Sequence, residues 1–172
     1  MNRFFGHQRL LVAWEITPTV VKQFEVEAKR DGAKSIEAEH MLLALATNPD
    51  SDAARLLLEF GLDHQRLDSA LREERRRTLA FAGVSTPDKT QVEATELESP
   101  LSLGTSAKAA IRRALVGSRH DRRRARLRST DLLAGIVEAE LGTVPRALAM
   151  AGIDRAALIS RARDAVLTGQ AC

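Results

Sequence analysis

A chain of 172 residues is about the length of one compact domain, and by size scaling it can bury close to 70% of its unfolded surface without a cofactor or disulfide. Hydrophobic residues make up 44% and charged residues 28%, too apolar for a wholly disordered chain. Aromatic residues reach only 3%, with no tyrosine, which argues against β-sandwiches, barrels and single-strand nucleic-acid binding by base stacking.

The abundant Ala, Leu, Arg and Glu favour helix instead. Cys172 is the only cysteine, so intramolecular disulfides and cysteine-rich zinc sites are excluded. No apolar run has the length of a signal-peptide core or a membrane span, and the expectation is a soluble, cytoplasmic protein that does not enter a membrane. The net charge of +3 conceals two basic clusters, Arg75 to Arg77 and six arginines between Arg119 and Arg128.

Residues 1–14 read as an N-terminal extension. Thr17-Pro18 then opens the first predicted helix, an N-cap followed by a proline whose missing N–H costs nothing there. Val20, Val21, Phe24 and Ala28 form its apolar face, and Gly32 ends it. Ile36 to Thr47 carries a second apolar stripe through Met41, Leu42 and Leu45, stopped by Asn48-Pro49-Asp50. Ser51 or Asp52 caps a third, short helix around Leu56, Leu57 and Phe60, with Gly61 as its left-handed exit. Asp63 caps a fourth through Leu67, Ala70 and Leu71 to about Thr78.

Between residues 80 and 101 the periodicity dissolves around Gly83, Pro87 and Pro100, and this stretch reads as a linker. The pattern of the first unit, residues 15–79, then returns over residues 102–169, leaving a short tail at 170–172. Met41-Leu42 is answered by Leu132-Leu133, Leu45 by Ile136, and Phe60-Gly61-Leu62-Asp63 by Ala151-Gly152-Ile153-Asp154, always 91 residues later. A constant spacing that includes glycine and cap positions as well as apolar ones indicates an internal duplication. The expected fold is all-α: two tandem four-helix repeats in one pseudo-twofold globule.

The stretch Ile36-Glu37-Ala38-Glu39-His40-Met41-Leu42-Leu43-Ala44-Leu45, followed by Ala53-Ala54-Arg55-Leu56-Leu57 and Phe60-Gly61-Leu62-Asp63, resembles the N-terminal domain of Clp unfoldases, particularly those of the ClpC type. In that family each repeat carries Ile-Gly-Thr-Glu-His-x-Leu-Leu-Gly-Leu, and the domain receives substrates and adaptors. The resemblance implies a protein- or peptide-binding module whose partner is a Clp ATPase, an adaptor or a client, and which modulates a Clp protease system without being an enzyme. No Gly-Lys dipeptide occurs, so no ATPase phosphate loop of the Gly-x-x-x-x-Gly-Lys-Ser/Thr type is present, and the expectation is a free-standing module.

In ClpC-type domains the glutamate of the signature holds the guanidinium of a phosphorylated arginine while a threonine at the start of the first helix holds its phosphate. Here repeat one keeps Glu39 but has Trp14 at the threonine position, with Thr17 one turn later. Repeat two keeps Thr105 but has Thr130 and Asp131 in place of the glutamate and histidine. Neither repeat holds both halves, which argues against phosphoarginine binding. Trp14, Thr17, Glu39, Thr105, Thr130 and Asp131 remain the candidate ligand-binding residues.

Arg119, Arg122, Arg123, Arg124, Arg126 and Arg128 form a candidate docking patch, read either as a solvated helix terminus or as a surface for an acidic partner. Nucleic-acid association is the reading from another class; basic clusters give salt-sensitive, non-specific affinity, and no base-readout motif accompanies them. A decoy that sequesters ligands of the unfoldase is a further alternative. No cofactor or metal is expected: His40 and Glu39 are neighbours about 100° apart on a helix, and the other histidines lack second ligands at metal spacing. A structural or capping role is expected for His40. No nucleophile motif occurs, and Ser106 reads as a first-turn helix residue.

Overall fold

A computed structural model describes residues 18–84, 100–118 and 127–168. The N-terminal extension, Trp14, Ile16, Thr17, Leu97, the tail and Arg119, Arg122, Arg123, Arg124 and Arg126 lie outside these residues. Eight helices are present among the described residues. Helices α1 (Pro18–Arg30), α2 (Ala38–Ala46), α3 (Asp52–Glu59) and α4 (His64–Phe81) form the first unit. Helices α5 (Thr105–Ser118), α6 (Ser129–Val137), α7 (Thr143–Met150) and α8 (Arg155–Thr168) form the second. The starts of α6, α7 and α8 each fall 91 residues after those of α2, α3 and α4.

The equivalence extends to the caps. Gly61 and Gly152 both adopt positive φ, 67° and 72°, and the following Leu62 and Ile153 donate to Leu57 and Leu148 at 2.9 and 3.0 Å. Each helix is thereby closed by the left-handed turn that glycine takes without steric cost. Asp63 and Asp154 then cap α4 and α8, accepting from the N–H groups of Arg66 and Ala157 at 2.7 and 3.0 Å. Ser51 Oγ caps α3 by accepting from Ala54 at 3.1 Å, which settles its choice over Asp52.

Two boundaries differ from expectation. Helix α4 runs to Phe81, three residues past Thr78, because Arg76 and Arg77 both pair with Glu73 one turn back and support the exposed end. Ile36 is not helical; it lies in β1 (Ser35–Ile36), which pairs in parallel with β2 (Ser102–Leu103). The residue after it, Glu37, has extended dihedrals as the N-cap of α2, so the helix starts at Ala38.

One continuous core joins both units. Met41, Leu42, Leu57, Leu67, Leu132, Leu133, Leu148 and Leu158 are all at most 1% exposed. Full burial of a leucine is worth about 1.5 to 3 kcal/mol, so these positions dominate the stability of the fold. Leu101 and Leu103 pack against the same core, and the N–H of Leu101 is held by Glu25 Oε1 at 3.1 Å. Among the described residues no helix is long and apolar enough to cross a membrane.

Candidate functional site

The signature segments sit at the N-termini of α2 and α6, and each builds its cap with a different residue. In α2 the backbone N–H of Glu37 donates to His40 Nδ1 at 2.9 Å, so the neutral ring carries its proton on Nε2. In α6 the N–H of Arg128 donates to Asp131 Oδ2 at 2.8 Å. His40 and Asp131 are both buried, 2% and 5% exposed, and occupy the same station 91 residues apart. An imidazole nitrogen and a carboxylate oxygen both accept one N–H, which is why the exchange leaves the helix start intact.

Glu37 has a second task. Its Oε2 accepts from the N–H and the hydroxyl of Ser106 at 3.0 and 2.6 Å, while Ser106 Oγ accepts from the N–H of Ala38 at 2.8 Å. Each helix start is thus capped by a side chain of the other repeat. Gly104 precedes α5 with no side chain of its own to offer, and a Cβ there would lie 1.7 Å from Glu37 Oε1. Burial raises the Glu37 carboxyl, but hydrogen bonds from Ser106 and Ser35 and the adjacent His40 outweigh it and hold the group below its ordinary value of 4.5. Thr105, beside Ser106, is exposed at the start of α5.

Glu39 is half-buried and lines a small cleft with Glu27, Asp31, His40, Arg72 and Arg75. Contacts between α4 and the end of α1 span the cleft: Arg30 pairs with Asp68 at 3.0 Å, Arg75 pairs with Asp31, and His64 Nε2 lies 3.1 Å from Glu27 Oε1. His40 Nε2 points toward Asp31 Oδ2 at 3.6 Å without closing a hydrogen bond. The space within it is about 30 Å³, enough for one or two water molecules.

Among the described residues the second repeat shows no such set of pairs; the counterparts of Arg30 and Asp31 lie outside them. A groove of about 550 Å³ opens between α5, α6 and α8, lined by Arg112, Arg113, Val116, Ala134, Gly135, Glu138 and Arg163. Its floor is low because the small Ala134 and Gly135 stand where the first repeat has the buried Leu43 and Ala44. A Cβ on Gly135 would approach Ala110 O to 2.4 Å, so the close crossing of α5 and α6 requires glycine. Arg113 Nε donates to the Gly135 carbonyl at 2.7 Å, and Arg163 Nε to Glu138 at 2.8 Å.

Of the candidate residues within the described parts, Glu39 lines the small cleft and Asp131 lines the open groove. Thr130 is 1% exposed, and its hydroxyl finds no partner among the described residues. Arg128 serves as N-cap of α6. The structure thus separates Glu39 and Asp131 into different cavities and leaves Thr105 exposed at the start of α5. Sequence reading missed the Glu37–Ser106 exchange and the groove arginines Arg112 and Arg163; the signals available were Gly104 as an uncapped helix start and the loss of leucine volume at residue 134. Among the described residues no three His, Cys, Asp or Glu side chains converge to hold a metal.

Solved structures of similar fold include the N-terminal domain of the caseinolytic protease associated chaperone ClpD from Arabidopsis thaliana. It is 18% identical, with a TM-score of 0.65, over 91% of this chain and 96% of that one. A structure from preliminary investigations of a malarial protein secretion system gives a TM-score of 0.55 at 17% identity, over 87% of this chain and 93% of the other. No curated protein matches the sequence. The family model for the Clp repeat N-terminal domain matches residues 18–120, and with the second set of helices repeating the caps and core positions of the first, the chain belongs to the Clp N-terminal repeat family.

Proposed function

We propose that this chain is a non-enzymatic recognition module that binds a protein or peptide and through it modulates a Clp protease system. The family's domain is a noncatalytic interaction domain, which supports the general reading. The observation that carries it furthest is the asymmetry of the two repeats. One signature cleft is small and spanned by its own ion pairs, and the other is an open groove of the size that ligands and peptide side chains occupy. A module with one small cleft and one open groove suits capture of a partner by a single repeat. In this reading the protein works in the cytoplasm, beside a Clp unfoldase.

The phosphoarginine seat of ClpC-type domains is not retained in this reading. Glu39 lines its cleft together with the chain's own Arg72 and Arg75, and the equivalent place in α6 is the buried Thr130. A guanidinium from outside competes with the chain's own paired arginines in the first repeat and finds no carboxylate at the signature position in the second.

The test is reconstitution. The purified chain is added to a purified Clp unfoldase with its protease, and association and degradation of a folded client are followed together. Saturable association with a changed degradation rate is expected, stimulation marking an adaptor and inhibition a decoy. Absence of association with unfoldase, adaptor and client alike sinks the proposal.

A further inference from the structure

We infer that the α5–α6–α8 groove is a docking site for an acidic peptide segment that alternates carboxylate and aliphatic side chains. This deepens the recognition-module reading and rests on it.

The inference starts from volume. In the first repeat Leu43, 6% exposed, fills the space beside His40, whereas Ala134 at the same station leaves the space beside Asp131 open. A buried Ala in place of Leu removes several methylene-sized volumes, and neighbouring side chains have not collapsed into the gap. The floor is apolar, made by Ala114, Ala134 and Gly135, and Val116 beside it is 53% exposed. Aliphatic side chains of a partner gain from burial on such a floor.

Charge fixes the rest of the chemistry. Arg112 and Arg163 stand on opposite walls, on α5 and α8, and Arg113 is anchored between them by its bond to Gly135. Arginine presents a planar fork that matches a carboxylate through two parallel hydrogen bonds. Glu138 already engages one edge of Arg163, which keeps the guanidinium oriented. A nucleic-acid backbone fits less well, since Glu138 and the Asp131 cap repel closely spaced phosphates and the groove offers no aromatic platform.

The experiment uses the full chain and a short fluorescent peptide alternating glutamate with valine, read by anisotropy, against the same peptide with lysine for glutamate and a single-stranded oligonucleotide as competitor. The glutamate peptide should bind, the lysine peptide should not, and the oligonucleotide should not displace it. Arg112→Glu, at an exposed position, should weaken binding about tenfold by reversing a wall charge. Ala134→Leu, which restores the first repeat's side chain, should weaken it by a similar factor while leaving the salt dependence unchanged. Should Ala134→Leu fail to fold, Arg112→Glu decides alone. Equal binding of the two peptides, displacement by the oligonucleotide, or parental affinity in folded Arg112→Glu overturns the inference. No Clp component is present, so this result and the reconstitution above can fail independently.

Discussion

The two repeats share helix starts, caps and core stations, yet one spans its signature cleft with ion pairs and the other leaves it open. The difference includes side-chain volume and charge at equivalent stations and the close crossing of α5 and α6 at Gly135. Leu43 and Glu39 become Ala134 and Thr130, while the caps built on His40 and Asp131 remain interchangeable. A duplicated fold can therefore lose a ligand seat in one copy and open a groove in the other without disturbing the shared core. The core must stay packed to organic-crystal density, whereas a rim position has only to remain soluble.

The largest test of this equivalence is in the core. Leu42→Ala and Leu133→Ala, at 1% and 0% exposure, should each cost about 2 to 5 kcal/mol in denaturant unfolding. Losses that differ severalfold would show that one repeat carries the stability of both. Next comes the helix crossing. Gly135→Ala forces a Cβ against the Ala110 carbonyl and should cost about 1 to 3 kcal/mol. The mirror change Ala44→Gly should cost closer to 1 kcal/mol, since it adds only backbone entropy and a small void. Equal costs would mean that the two crossings are equally tight.

The inter-repeat exchange of caps gives a smaller and pH-dependent effect. Ser106→Ala removes the donor to Glu37 and the acceptor for Ala38, and should cost about 1 kcal/mol. Glu37 is held below its ordinary value of 4.5 in the folded chain, so its contribution is complete above that pH and fades as pH falls through the lower folded value. Acid unfolding followed by circular dichroism should show Glu37→Gln less sensitive to pH below about 4.5 than the parent. Arg128 stands at the equivalent station, and an equal change in Arg128→Gln would contradict the assignment.

Smallest is the heat expected from free phosphoarginine. Calorimetry on the parent should show weak binding or none, with any residue of it lost in Glu39→Ala and kept in Asp131→Ala. Tight two-site binding, comparable in both repeats, would falsify the view that the first cleft is spanned by its own ion pairs and the second lacks the carboxylate.

Much of the fold is legible in the sequence because its determinants are local. Apolar spacing of three and four residues, Gly61 and Gly152 at helix exits, and Asp63 and Asp154 as caps each act within about one turn of chain. Their recurrence at 91 residues states the duplication outright. The signature itself pointed to Glu39 and His40, and periodicity placed His40 at a helix start where it caps.

What tertiary structure alone decided depends on pieces far apart in the chain. Glu37 meets Ser106 across 69 residues, and no local pattern marks that pair beyond the bare Gly104. Glu27 and Glu74 are both 3% exposed, and His64 and Arg146 reach them from other helices. The groove exists only where Arg112, Ala134 and Arg163 are brought together from α5, α6 and α8. Helical order follows from interactions within four residues, so sequence specifies it; cavities and paired charges arise from volumes and fields summed over distant segments, so they emerge only once the helices pack.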